Sequence, residues 1–201
     1  MGDSEDSLGA WIDLTGRLLS QPLVELPFSI LIQELTKTLG ATAGAWVQQD
    51  LPSPPVVELH PTMAMPATGT IDLMQSHLGE HPLIKWFTVS HDPAAETLSR
   101  VPHSLCDGNQ ATWRAMTAPL GLEEQISIPL AFSGSAYRAF VLMKTEHDFS
   151  EEDLALARRI QPLLIGLDRQ ARTLARWVPR ASNAEQDMQS VSPRQRRDHN
   201  E

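Results

Sequence analysis

The stretch EQISIPLAFSGSAYRAFVLMK, residues 124–144, predicts an antiparallel β-hairpin. Ile126, Ile128 and Leu130 occupy every second position, and this alternation is typical of a strand with one apolar face. The SGSA segment between the two apolar runs contains a glycine and has the length of an ordinary hairpin connection. Pro129 cannot donate a ladder hydrogen bond, so it predicts an edge position or a bulge in the first strand.

Two further strands and two helices are predicted before this hairpin. TAGAWVQQ (42–49) and VVELH (56–60) have strand composition, and the Pro-rich LPSPP (51–55) between them is typical of a loop. Apolar residues recur at helical spacing over 8–19 and again over 28–39. The N-terminal part of the chain is therefore predicted as helix, helix, strand, strand.

The middle of the chain carries weaker signals. Segments 69–79 and 81–90 predict short helices, and a third helix is predicted from about 103 to 120. Segment 92–102 has no strong periodicity.

A long C-terminal helix is predicted to begin after Ser150, a typical N-cap residue followed by three acidic residues. Pro162 predicts a bend or a weakened turn. The apolar positions of this helix are spaced by four and three residues, as in the seam between two helices. They predict a homodimer and relay surface, with packing on the chain's own sheet as the alternative, and they are Ile160, Leu164, Leu167, Ala171, Leu174 and Val178.

Composition and charge predict a single globular domain, and we expect it in the cytoplasm. The chain has 201 residues, 41% apolar, with a net charge of −9. The apolar runs are too short for a membrane span, and a single cysteine, Cys106, excludes an intramolecular disulfide framework. Residues 169–201 contain seven arginines against four acidic residues, which predicts a solvated helix end and a disordered tail.

Four segments of the sequence resemble the N-terminal GAF-like (PAS/GAF superfamily) sensor region of actinobacterial LuxR-type transcriptional regulators. They are HPLIKWFTVSHDPAAETLSRVP (81–102), GLEEQISIPLAF (121–132), YRAFVLMKTEHDFSEEDLALARRIQPLL (137–164) and LDRQARTL (167–174). The resemblance, with the element order, implies an α+β fold, in which helices flank an antiparallel sheet of five to six strands.

In such regulators a helix-turn-helix domain follows the sensor. SVSPRQRRDHNE (190–201) is similar to the start of that domain, so we expect DNA to be contacted only through a domain that lies beyond this chain. The expected divisions are an N-terminal helix (1–25), a GAF-like sensor domain (26–165), a relay and dimerisation helix (166–180) and a linker or tail (181–201).

By similarity to GAF and PAS sensors, a ligand cavity is expected between the sheet and segment 62–120. Tryptophan and methionine are abundant in the middle of the chain, and both suit an adaptable apolar pocket, although core packing is the alternative for each of them. The residues predicted near the pocket are Trp46, His60, Trp86, Trp113 and Phe132.

No catalytic or cofactor motif accompanies this pattern. The chain lacks a phosphate-binding glycine loop, GxSxG, CxxC and HExxH. His77 and His81 have the spacing of a helical metal pair, but a third ligand is missing, so surface or boundary positions are favoured. Cys106 and His103 are three residues apart, and a structural role is favoured over a nucleophile.

The expected function is therefore a regulatory, non-enzymatic sensor that forms a homodimer, responds to a small-molecule effector and has no cofactor or metal. The alternative is a stand-alone interaction or dimerisation module with a filled core and no ligand.

Overall fold

The hairpin strands lie at the centre of a five-stranded antiparallel sheet in the computed structural model, which describes residues 2–50, 53, 55–60, 77–106, 124–133, 136–145 and 147–177. The strands are β1 (Ala43–Asp50), β2 (Val56–His60), β3 (Glu96–Thr97), β4 (Glu124–Ser133) and β5 (Ala136–Lys144). Their spatial order is β2-β1-β5-β4-β3, and each neighbouring pair is antiparallel. The predicted α+β class and strand number are confirmed.

Strand β3 is the one that the sequence pattern did not indicate. It consists of Glu96 and Thr97, which pair with Ser127 and Ile126 of β4. Two residues are too few to display an alternation, so no periodicity marks this strand. β4 is not the terminal strand of the sheet, although β3 pairs with it only at Ile126 and Ser127 and not at Pro129. Pro129 lies at a β-bulge, the second of the two predicted positions.

The helices are α1 (Gly2–Leu19), α2 (Phe28–Thr38), α3 (Pro82–Ser90), α4 (His103–Cys106) and α5 (Glu151–Trp177), with 3₁₀ turns at Leu78–Glu80 and Leu98–Arg100. The helices predicted over 8–19, 28–39 and 81–90 and the helix after Ser150 are confirmed. The start of the helix predicted over 103–120 coincides with α4, and the rest of it lies outside the described residues. Most of segment 69–79 lies outside them as well.

The start of α5 is fixed by a reciprocal cap. The Asp153 N–H donates to Ser150 Oγ at 3.1 Å, and the Ser150 N–H donates to Asp153 Oδ2 at 2.9 Å. This is the capping-box arrangement, with an aspartate in the place of the usual glutamate. α5 continues through Pro162 without interruption, so the predicted weakened turn does not break it.

One face of the sheet packs against α2 and α5, with α1 packed on α5; we call it the α5 face. Ile126 and Ile128 of β4 and Phe140 of β5 are fully buried in this layer. Helix α2 approaches β1 closely at Gly44, where a Cβ atom would lie 2.7 Å from Cγ1 of Ile32. A side chain larger than hydrogen at this position would therefore force the Ile32 side chain to move.

The opposite face, which we call the α3 face, packs against α3. Leu83 and Phe87 of α3 are buried there against Tyr137, Ala139 and Met143 of β5. Since successive residues of a strand point to opposite sides, the two faces of the sheet are built from alternating residues of the same strands.

The predicted dimer seam on α5 is mostly buried inside the chain itself. Ile160, Leu164 and Leu167 are fully buried and Ala171 is 3% exposed, all within the described chain. Leu174 is half-buried, and Val178 lies outside the described residues. α5 packs on both β4 and α1, and Ile160, Leu164 and Leu167 belong to the core that includes both elements. Four of the six predicted residues are thus not available to a second subunit.

Within the described residues, no helix combines the length and apolar composition needed to cross a membrane. α5 is continuous across positions 165 and 166, where the sequence analysis placed a division between sensor and relay helix.

Candidate functional site

The candidate site is a cavity on the α3 face of the sheet, which we call the α3 cavity. It has a volume of about 40 Å³ and lies between strands β1, β2, β4 and β5 and the segment from Leu78 to Ile84. Alternation along the strands brings Ala45 and Val47 of β1 and Tyr137 of β5 to this face. A cavity of this volume accommodates about two water molecules.

Two polar pairs lie in the otherwise apolar wall. The first joins His81, the N-cap residue of α3, to Gln125 of β4. His81 Nδ1 accepts from the Leu83 N–H at 3.2 Å, so the ring proton is on Nε2, which donates to Gln125 Oε1 at 3.1 Å. Burial lowers the pKa of His81 to about 4, although the Gln125 hydrogen bond raises it in part. The imidazole is therefore neutral at physiological pH.

The second pair joins Ser127 of β4 to Tyr137 of β5. Ser127 Oγ and the Tyr137 hydroxyl are 2.7 Å apart, and both residues are buried. Burial raises the pKa of Tyr137, against a smaller lowering by the Ser127 hydrogen bond. The Tyr137 ring also lies near Phe87 and Phe132, with centroids 6.3 and 6.1 Å away, which fixes its orientation.

The electrostatic character of the α3 cavity follows from these pairs. No acidic or basic side chain lies among its described lining residues apart from His81, which is neutral. Among these residues a charged ligand would find no partner of opposite charge to replace its hydration. The wall instead suits a neutral, mainly apolar molecule with a group that can exchange hydrogen bonds with Gln125, Ser127 or Tyr137.

β4, which carries Gln125 and Ser127, is tied to α5 through Gln161. The Gln161 Nε2 amide donates to the carbonyls of Pro93 and Pro129, each at 2.7 Å, and its Oε1 accepts from the Ala95 N–H at 3.0 Å. Gln161 is 6% exposed. One buried side chain of α5 thus holds both β4 and the segment that leads into β3.

An ion-pair cluster strengthens the same connection. Arg158 of α5 donates from Nε to the Ala95 carbonyl at 2.9 Å and from a terminal nitrogen to Glu96 Oε2 at 3.0 Å. Arg100 contacts the same carboxylate at 3.2 Å and also pairs with Glu151. Movement of β4 or β3 relative to α5 would have to break these contacts.

The structure does not bring together the four predicted pocket residues that it describes. Trp46 lies on the α5 face, with its ring 5.1 Å from that of Phe140. His60 pairs with Gly44 and so points to the α5 face as well. Trp86 and Phe132 pack against the core of the α3 face but do not line the cavity.

The fifth residue, Trp113, lies outside the described residues. Trp46 and His60 do not line the α3 cavity, because the alternation of the strands points both side chains to the opposite face of the sheet. Sequence reasoning missed His81, Gln125, Ser127 and Tyr137. For Gln125 and Ser127 the sequence does carry a signal, because polar side chains recur at every second position of β4. This recurrence shows that the two residues share a face of the sheet but does not show that the face is buried.

The residues of the candidate histidine and cysteine pairs contact other groups in the structure. His77 Nδ1 contacts Glu80 at 3.2 Å, whereas His81 bonds to Gln125. Within the described residues, no group of three or more His, Cys, Asp or Glu side chains could hold a metal ion. The buried thiol of Cys106 donates to the Pro102 carbonyl at 3.7 Å, and His103 is exposed.

Comparison with known proteins identifies structures with a similar fold. No family model and no curated protein matches the sequence. Among solved structures, the LBD domain of VqsR from Pseudomonas aeruginosa has a TM-score of 0.60 at 18% identity, covering 83% of this chain and 98% of that one.

Two other solved structures have similar scores. CepR2 from Burkholderia cenocepacia, described as an N-acylhomoserine lactone dependent LuxR family transcription factor, has a TM-score of 0.56 at 11% identity, covering 88% of this chain and 99% of that chain. The GAF domain of a phosphoenolpyruvate-protein phosphotransferase from Coxiella burnetii has a TM-score of 0.53 at 16% identity, covering 86% and 98%. The fold is therefore GAF-like and is shared with ligand-binding domains of LuxR-family regulators.

Proposed function

We propose that this protein is a regulatory sensor domain that binds a small, neutral and mainly apolar molecule in the α3 cavity. The observation that carries the proposal is the pair of buried neutral contacts, His81–Gln125 and Ser127–Tyr137, set in an apolar wall on one face of a GAF-like sheet. An apolar pocket with a few convergent polar groups is the usual form of a small-molecule site.

The size of the cavity makes binding a conformational event. Drug-sized ligands occupy pockets of roughly 300 Å³ or more, whereas the α3 cavity measures about 40 Å³. A ligand of that size has to separate α3 from the sheet and repack Leu83 and Tyr137. Binding therefore selects a second arrangement of the domain, which is the requirement for a ligand to act as a signal.

α5 is the element that receives this signal. Gln125 and Ser127 lie on the cavity side of β4, while Ile126 and Ile128 on its other side pack in the same core as α5. Gln161 and Arg158 connect α5 directly to the β3–β4 edge. In this proposal the end of α5 passes the change to the DNA-binding domain of a LuxR-type regulator.

The proposal extends to the setting in which such a regulator works. We expect a cytoplasmic protein that acts as a homodimer, with DNA contacted by the output domain. The dimer contact would use surfaces other than the buried residues of the α5 seam. Leu174, which is half-buried, is the described seam residue that retains exposed area on the helix surface.

The test is a thermal-shift measurement with neutral probes. N-acylhomoserine lactones of different chain length are the first choice, because CepR2 is dependent on that class and because they carry carbonyl groups on an apolar chain. Fatty-acid amides and alcohols of the same length complete the panel. We expect at least one probe to raise the melting temperature of the full chain.

A matched pair of variants assigns the site. Ser127→Val removes a polar group of the cavity, and Ser133→Val makes the same change at the exposed end of β4. We expect Ser127→Val to weaken binding about tenfold and Ser133→Val to leave it unchanged. If no neutral probe stabilises the protein, or if both variants bind equally, the sensor proposal is wrong.

The small volume of the α3 cavity favours one second candidate, an interaction module with a filled core and no ligand. In that case every probe leaves the melting temperature unchanged. A change that fills the cavity, Ala45→Val, then raises stability without altering any binding property, because Ala45 lines the cavity.

A further inference from the structure

Helix α3 covers the α3 cavity with its first turn. Leu83 and Ile84 line the cavity, and so does His81 just before the helix. Leu83 and Phe87, which lie one turn apart, are buried against the sheet. On the outer side of the helix, Val89 is 62% exposed. α3 thus has one buried side and one exposed side, and its buried side closes the cavity.

The start of α3 is held to the sheet by a neutral hydrogen bond, which we call the latch. His81 Nε2 donates to Gln125 Oε1 at 3.1 Å, while Nδ1 of the same ring accepts from the Leu83 N–H at 3.2 Å. One side chain therefore caps the helix and ties it to β4. Neither partner of the latch is charged, so its net contribution to stability is modest.

The chain that follows α3 is held to α5 by stronger contacts, which we call the anchor. Gln161 donates to the Pro93 carbonyl at 2.7 Å and accepts from the Ala95 N–H at 3.0 Å. Arg158 donates to the Ala95 carbonyl at 2.9 Å and forms an ion pair with Glu96 at 3.0 Å. Hydrogen bonds of charged groups are stronger than those between neutral groups. The two ends of α3 are therefore fastened unequally.

A change of backbone direction lies between α3 and the anchor. His91, the residue that ends α3, has φ 55° and ψ 16°, and its N–H donates to the Phe87 carbonyl at 3.1 Å. A residue with a Cβ atom adopts this left-handed region at a cost, so little opposes its rotation into another conformation. Hinges consist of a few residues at the ends of elements that absorb such a rotation.

We propose that α3 is a lid that swings about Ser90–Asp92, releasing the latch and keeping the anchor. At 1.5 Å per residue, Leu83 lies about 12 Å along the helix from His91, so a swing of about 20° moves it by about 4 Å. Phe87 lies at half that distance and moves about half as far. The cavity therefore opens at the start of α3, away from the hinge.

This inference rests on the proposed ligand site, because the lid gives a ligand its way into the α3 cavity. It also adds a route to α5, since a displaced lid strains the anchor contacts of Gln161 and Arg158. The test below uses no ligand. Failure of the lid and failure of the sensor proposal are therefore separate results.

The experiment measures how fast a thiol placed in the cavity reacts with an aromatic disulfide reagent that is larger than the cavity. Cys106 is the one cysteine of the chain, and Cys106→Ser removes it. Ala45→Cys then places a thiol on the cavity wall. Ala157→Cys places the reference thiol on α5, in the layer on the opposite face of the sheet, where Ala157 is fully buried.

We expect the Ala45→Cys thiol to react about tenfold faster than the Ala157→Cys thiol, or more. In low concentrations of urea the Ala45→Cys rate should change little, because opening of a lid exposes less surface than unfolding does. Val47→Cys, also on the cavity wall, is the second reporter if Ala45→Cys does not fold.

A matched pair of histidine variants tests the latch. His81→Asn retains a residue that caps helices well but removes the ring that reaches Gln125. It should speed the reaction of the Ala45→Cys thiol about tenfold, the effect of losing one hydrogen bond. His77→Asn, which breaks the exposed contact with Glu80, should leave this rate unchanged.

Gln161→Leu tests the anchor and with it the position of the hinge. If the anchor holds in the open state, this change affects unfolding but not lid opening. It should therefore speed the reaction of the Ala157→Cys thiol and leave the Ala45→Cys thiol unchanged in the absence of urea.

Three results would overturn the proposal. Equal rates and equal urea dependence of the Ala45→Cys and Ala157→Cys thiols would show that the cavity opens only by unfolding. Equal rates in His81→Asn and His77→Asn would contradict the latch. If Gln161→Leu speeds both thiols alike, the anchor is released with the lid, and the hinge does not lie at Ser90–Asp92.

Discussion

At the residue scale, the most informative side chains are Ser127 and Tyr137, because each is the other's hydrogen-bond partner in an apolar wall. Their hydroxyl oxygens are 2.7 Å apart, and neither residue is more than 4% exposed. Removal of one partner leaves the other buried and unpaired, which costs more than loss of the bond itself. The same two side chains therefore contribute both to the stability of the fold and to the proposed ligand site.

A double-mutant cycle measures this coupling. Tyr137→Phe and Ser127→Ala should each lower the free energy of unfolding by about 1–3 kcal/mol, since each leaves a buried hydroxyl unpaired. The double variant should lose clearly less than the sum, because it removes both hydroxyls. Urea denaturation of the four proteins provides the test, and additive losses would mean that the pair is not coupled.

His81 makes stability depend on pH. Its pKa is about 4 in the folded protein, below the ordinary value of 6.5 that it regains on unfolding. The unfolded state therefore binds more protons between these two values. The His81 contribution is fully present above pH 6.5 and is lost as the pH falls toward 4, by about 3 kcal/mol in total.

Urea denaturation between pH 4.5 and 7.5 checks this expectation. His81→Gln should reduce the loss of stability in acid, and His103→Gln, an exposed histidine, should not. An acid dependence that is equally steep in wild type and His81→Gln would show that another group is responsible.

The candidate site could be predicted from the sequence only in part, and the reason lies in these same residues. The alternation of Ile126 and Ile128 with Gln125 and Ser127 predicts which side chains share a face. It does not indicate that both faces are covered, and Gln125 and Ser127 are 2% and 0% exposed. Trp46 was predicted near the pocket because it is aromatic. Its position in the alternation of β1 places its side chain on the α5 face instead.

At the scale of elements, Gln161 is the main connection between α5 and the edge of the sheet. Gln161→Leu removes three hydrogen bonds and leaves the Ala95 N–H and the Pro93 and Pro129 carbonyls without their partner. We expect a loss of about 3 kcal/mol or more in the free energy of unfolding. Faster hydrogen exchange at the Ala95 amide should accompany it.

The matched control for this change is Gln170→Leu, an exposed glutamine of the same helix. It should alter stability by no more than about 0.5 kcal/mol. Equal exchange rates at Ala95 in the two variants would contradict the role of Gln161.

The seam of α5 illustrates the limit of a periodic pattern. Its spacing predicted a covered apolar face, and Ile160, Leu164 and Leu167 are fully buried in the chain's own core, where α5 packs on both β4 and α1. Periodicity specifies that a face is covered and does not specify by what.

Charge substitutions on α5 distinguish a seam that is buried within one chain from a seam that lies between two subunits. Leu167→Lys should destabilise the protein by about 4 kcal/mol or more, because it buries an unpaired ammonium group. Leu174→Lys, at a half-buried position, should cost about 1 kcal/mol or less. Thermal melts with sedimentation provide the measurement. A folded monomeric Leu167→Lys protein derived from a dimer would restore the seam as an intersubunit contact.

At the scale of the whole molecule, the order of elements was predictable and the position of the cavity was not. Long periodic segments such as β4, β5 and α5 determine the α+β class, because their patterns exceed the length at which helix and strand are confused. The location of the α3 cavity depends instead on how the segment Leu78–Ile84 packs across two pairs of strands, β1–β2 and β4–β5, that are distant from each other in sequence. The two-residue strand β3 at the edge of the sheet was not predictable for the same reason, because it is defined by its pairing with β4 and not by a pattern of its own.

The central claim is that a neutral ligand in the α3 cavity changes the contacts of α5. Hydrogen exchange with and without the tightest neutral probe tests it most directly. The account predicts altered exchange in three segments, β4 from Gln125 to Pro129, Pro93–Thr97, and α5 around Arg158–Gln161, with unchanged exchange in α1. If the probe binds and protects β4 but leaves α5 unchanged, or protects only segments away from the α3 cavity, the account is wrong.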